Sequence, residues 1–135
     1  MTGPMGNYRQ HNGFGHMPAY LVGGTPYVSS SIVIPGSAAS PKQVGFLNVS
    51  KFVTIKCTSA EGLQVGFSDN GMDSLNNYFV LANNERFSGE WRIVRLHLRS
   101  NTVNPSQATV IAGLTTISSG EYPQARNWSG SLGVG

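Results

Sequence analysis

The residues that could do chemistry are few and scattered: six acidic side chains, three histidines and one cysteine in 135 residues. Gly66-Phe67-Ser68-Asp69-Asn70 comes nearest to a catalytic motif. A nucleophile elbow has the form G-x-S-x-G, because its serine sits on a strained strand-to-helix turn with room only for glycine two residues to either side. Position 70 is Asn, and Asp69-Asn70-Gly71 reads as a turn, since Asn and Gly adopt positive φ at low cost. Ser68 is therefore expected to end a strand. His11, His16 and His97 form no H-x-H or H-E-x-x-H pattern and Cys57 has no second cysteine, so no metal site is expected. A cupin would need histidines and a carboxylate clustered on adjacent strands. Glu61, Asp69, Asp73, Glu85, Glu90 and Glu121 fall in or beside predicted turns, which suits turn formation and solubility better than the facing carboxylates of a glycosidase. The Gly-rich stretches VGG and GVG lack the strand-to-helix context and the Lys-Ser/Thr of a phosphate cradle. No cofactor and no catalytic set emerge, and the chain is expected not to be an enzyme.

The composition points the same way. Hydrophobic residues make up 39% of the chain, enough for a core, but charged residues only 11%. An average soluble domain carries about 25% charged residues, so a sparse supply suggests that much of the outside faces other protein. A secreted Ser/Thr/Asn-rich module would also be charge-poor. The net charge of +3 is spread along the chain with no basic run, so no specific nucleic acid is indicated. Cys57 alternates with Val53 and Ile55 and is read as a small buried apolar side chain. The first residues lack a signal peptide's apolar stretch and no run approaches a membrane span, so a soluble chain made in the cytosol, without membrane insertion, is expected.

The elements that must position these residues are strands. Residues 1–26, rich in Gly, Asn and His with isolated aromatics, have no period and read as a flexible extended arm. Residues 27–135 read as one domain. YVSSSIVI, QVGFLNV, KFVTIKC, LQVGFS, WRIVRLHLRS and ATVIAGLTTI are short β-rich runs between turn clusters. Asp73 to Asn77 reads as one helical turn, and NYFVL and ERFSG as a hairpin about Asn83-Asn84. The sum is an all-β fold: a single jelly-roll β-sandwich of about eight antiparallel strands with an extended N-terminal arm.

Three sets of residues are candidates for contact. Alternation places Arg95, His97 and Arg99 on the solvent face of one strand, where they could meet a neighbouring subunit. Tyr8, Arg9, Phe14, His16 and Tyr20 of the arm could dock on a neighbour as anchors. The loop FSDNGMDSLNNYF groups Asp69, Asn70, Asp73, Asn76, Asn77 and Tyr78, a mixture that sugar-binding loops also use. A carbohydrate- or receptor-binding jelly-roll module, fibre-head or lectin-like, is therefore the alternative to an assembly subunit.

GGTPYVSSSIVIP, VSKFVTIKC running into LQVGFSDNG, NNYFVL, and VIAGLTTI before NWSGSLGVG resemble, in order, the penton proteins of nucleocytoplasmic large DNA viruses. The resemblance spans most of the chain from Gly23 onward. It implies a single jelly roll, five copies of which form a homopentamer at each icosahedral five-fold vertex among major capsid protein and minor capsid proteins. It also implies a place in the virion capsid, assembled in the host cell cytoplasm. A five-fold ring is a heterologous interface, so each subunit must present two different complementary patches.

Overall fold

The computed structural model describes residues 24–124, 128 and 133–135. Eight strands follow in chain order: β1 (Thr25–Ile34), β2 (Lys42–Gly45), β3 (Asn48–Cys57), β4 (Leu63–Gly66), β5 (Tyr78–Leu81), β6 (Arg86–Gly89), β7 (Arg95–Ser100) and β8 (Ser106–Ser118). One short helix, α1 (Asp69–Asp73), lies between β4 and β5, and a 3-10 turn (Ser119–Glu121) follows β8. The strands form two antiparallel four-stranded sheets, ordered β1-β8-β3-β6 and β2-β7-β4-β5. The chain passes between the sheets at every connection except β4 to β5, the doubly wound Greek-key course of a jelly roll. The expected fold class is therefore observed.

The core lies between the sheets, and period-2 alternation builds it. Val53, Ile55 and Cys57 of β3 and Ala108, Val110 and Ala112 of β8 point inward from the first sheet, and Leu63, Val65, Leu96 and Leu98 point inward from the second. All are buried. Strand β1 keeps its inward face only by a bulge. Tyr27 and Ser29 share the inner side, the register with β8 shifts between Ser29 and Ile32, and Ile32 and Ile34 then resume it. Ser31 takes φ 56° there, which explains three serines where alternation alone would fail.

Four expectations are corrected. QVGFLNV is not one strand: its first residues belong to β2 and its last to β3, so it turns a corner from one sheet to the other. The NYFVL and ERFSG segments do not form a hairpin. Asn84 does adopt φ 66°, as a turn requires, but β5 pairs with β4 and β6 with β3, in opposite sheets. The seam between these two edge strands is closed by rings: Phe79 lies 5.1 Å from Phe87, and Phe87 stacks on Trp91 at 5.5 Å. Gly89 makes room, since a Cβ there would lie 2.5 Å from the Trp91 indole. The helical turn falls at Asp69–Asp73, ahead of the expected Asp73 to Asn77. Ser68 caps it, its Oγ accepting from the Gly71 amide at 2.9 Å. Finally, Thr25 and Pro26, assigned to the arm, already belong to β1. The rest of that arm, residues 1–23, lies outside the described residues.

Candidate interaction surface

Strand β7 carries the Arg95, His97 and Arg99 stripe, and its surroundings overturn the expectation of a solvent face. Helix α1 lies over the outer side of β4 and β7, so all four residues of β4 are buried and His97 has no exposure. Met72 of α1 packs onto Gly66, where a Cβ would lie 2.7 Å from the Met72 Cγ. The covered polar groups must then find partners inside the protein. His97 Nδ1 lies 2.9 Å from Asp69 Oδ1. Arg99 donates to Asp73 Oδ1 at 2.7 Å, to the Met72 carbonyl at 3.0 Å and to Gln64 Oε1 at 3.2 Å. Gln64 in turn donates to Asn101 at 3.3 Å. His97 and Arg99 of the stripe thus clamp α1 to its sheet, while Arg95 is half-buried and its backbone meets Gln124.

The same clamp settles the loop residues. Asp69 and Asp73 point at His97 and Arg99, so the two carboxylates of the candidate sugar loop are engaged within the protein. Asn77 accepts from the Gly133 amide at 2.9 Å and its side-chain amide reaches the Val134 carbonyl at 3.4 Å, tying the loop to the tail. Asn76 takes φ 56° and is exposed with Asn70, while Tyr78 begins β5 half-buried. The structure brings Asp69, Asp73, His97 and Arg99 together but makes of them a packing device. Among the described residues no group of three or more His, Cys, Asp or Glu is placed to hold a metal ion. Tyr8, Arg9, Phe14, His16 and Tyr20 lie outside the described residues.

Sequence reasoning missed two features. One is Gln124, which is buried in the tail. Its Oε1 accepts from the Val94 amide at 2.6 Å and the Arg95 amide at 3.3 Å, and its Nε2 donates to the Phe67 and Arg95 carbonyls, both at 3.0 Å. This one side chain bridges the chain after β4 and the start of β7. No periodic signal marks such a residue. The other is the outer face of the first sheet. Val28, Ile111, Thr54 and Ser88 stand in one cross-strand row, with Phe52 beside it opposite Gly113. Val28 is 66% exposed, Ile111 39% and Phe52 37%. Thr54 and Ser88 satisfy each other at 2.8 Å, and Lys56 and Arg86, register partners and both exposed, mark one end. The outward residues of this sheet include no carboxylate. Its signal was present in the alternation of KFVTIKC, which places Phe52, Thr54 and Lys56 on one side.

No family model matches the sequence, and no curated protein matches it. Among solved structures the chain is similar to a hydroxypropylphosphonic acid epoxidase from S. wedmorenis, at 13% identity and a TM-score of 0.39. The match covers 66% of this chain and 42% of that one, so it spans less than half of the epoxidase. The expectation that the chain is not an enzyme is withdrawn, because a structure it is similar to is an enzyme. At that score the likeness carries no activity, substrate or cofactor to this chain. No helix among the described residues is long and apolar enough to cross a membrane.

Proposed function

We propose that this protein is a structural capsid subunit of a large DNA virus, a penton that joins four further copies at each five-fold vertex. Major and minor capsid proteins would be its neighbours there, in a virion assembled in the host cytoplasm. The observation that carries the reading is the uncovered outer face of the first sheet. Val28, Phe52 and Ile111 stand open on it beside a satisfied Thr54–Ser88 pair, with no carboxylate among them. Monomeric proteins seldom leave large contiguous apolar patches in water, and such a face favours burial against other protein. The low charge content and the resemblance in strand and turn pattern support the same reading.

A reconstruction of the particle tests it directly. Density at the five-fold axes that accepts five copies of this sandwich is the expected result, and vertices built from a different chain would refute it. Point variants add a second test. Val28→Asp changes a mostly exposed edge-strand position and should leave the isolated chain within about 0.5 kcal/mol of wild type, whereas Ile111→Asp, on the interior strand β8, should cost about 1 kcal/mol and still leave it folded. They should nevertheless prevent incorporation into particles. Normal incorporation of the double variant would remove this face from the assembly.

A further inference from the structure

The geometry points to a carbohydrate site in a cleft of about 410 Å³ at one end of the sandwich, lined by Phe67, Trp91, Tyr122 and Trp128 with Glu90 and Arg92. The ligand class is a neutral pyranose. Binding here is independent of the capsid reading and uses none of the loop carboxylates already engaged by His97 and Arg99.

The cleft is of ligand-binding size, since such pockets run from about 300 to 1,000 Å³ and combine an apolar lining with a few polar groups. Its rings come in two pairs. Phe67 meets Trp91 edge-on at 4.9 Å, and Tyr122 lies 6.3 Å from Trp128. All four are half-buried; one face of Trp91 stacks on Phe87 and one face of Tyr122 carries Arg92, so a sugar would use the remaining ring surface. The face of an aromatic ring carries partial negative charge and attracts the polarised C–H groups on one side of a sugar ring. Glu90 and Arg92 are exposed residues of the lining and supply one acceptor and one donor for vicinal hydroxyls, as charge-assisted hydrogen bonds. Other occupants fit less well. The Arg92 guanidinium already lies 5.8 Å from the Tyr122 ring centroid, the place a ligand cation would take. Glu90 opposes an anionic ligand, and a wholly apolar one would strip water from both charges without replacing it.

The chain has two tryptophans, and both line this cleft, so intrinsic tryptophan emission responds to its occupation. The full chain is titrated with the methyl glycosides of glucose, galactose, mannose and N-acetylglucosamine. Concentrations extend to about 50 mM, well above the ~1 mM dissociation constant of a weak site. The expected result is a saturable change in emission with at least one sugar. Tyr122→Ala and Arg92→Gln should each weaken it by about three- to tenfold, the size of a lost ring contact or hydrogen bond. Arg92 is exposed, so Arg92→Gln keeps the test valid if Tyr122→Ala fails to fold. No emission change with any of the four sugars overturns the site, as does saturable binding that Arg92→Gln leaves untouched. A response to a proline-rich peptide with none to sugars also overturns it, in favour of a peptide groove.

Discussion

Replacing Gln124 with Ala removes four hydrogen bonds and orphans main-chain groups in a place water reaches poorly. The Val94 amide and the Phe67 and Arg95 carbonyls lose close partners, at 2.6, 3.0 and 3.0 Å. A buried group left unsatisfied costs roughly 1–3 kcal/mol, and three at the low end of that range give about 3 kcal/mol. This is a large fraction of the ~5–15 kcal/mol that holds an ordinary domain folded. With a urea slope near 1.5 kcal/mol/M the midpoint should fall by about 2 M. The thermal midpoint should fall by about 10 °C. Gln124→Glu keeps the acceptor but loses both donors and sets a negative charge against two carbonyls, so it should be at least as harmful. Gln107→Ala, at an exposed position of β8, is the control and should stay within about 0.5 kcal/mol of wild type. The reasoning fails if Gln124→Ala unfolds at the same urea concentration as that control.

Three further outcomes are expected. Gly89→Ala drives a methyl into the Trp91 indole and should cost about 1–3 kcal/mol, with a shift in tryptophan emission as the ring moves. In a double-mutant cycle, Asp69 and His97 should show a coupling of about 0.5–3 kcal/mol, since the histidine is wholly buried; calorimetry of the two single variants and the double variant measures it. Asp73→Ala should cost less than about 1 kcal/mol by urea titration, because Asp73 is half exposed and Arg99 keeps the Met72 carbonyl and Gln64 as partners.

The inward faces of the strands were legible because alternation needs only a strand and one dry side. Val53, Ile55 and Cys57 read correctly on that ground, and so did Leu96 and Leu98. What alternation does not encode is the identity of the partner strand. The Asn83-Asn84 turn chemistry was read correctly, yet the same turn can join two strands of one sheet or carry the chain across the sandwich. The β7 stripe was misread for a related reason. A second face of alternating polar residues looks solvated until something covers it, and α1 has only five residues, too short for a helical period. His97 and Gln64 became buried polar groups through that cover. Gln124 stood in a stretch without any period, so its role followed from tertiary contact alone.

Among the described residues strand β1 pairs in its sheet with β8 alone, so residues 25–34 must wait for residues 106–118 before that ladder can zip. On a ribosome the chain has to emerge as far as Ser118 before the first sheet acquires its middle. Such distant pairings put a domain among the slower folders, in the range of about milliseconds to seconds. During that interval β1 is an unshielded ribbon, vulnerable to the wrong partner, and the serine kink and Pro26 are the features that make it a poor template for a stranger.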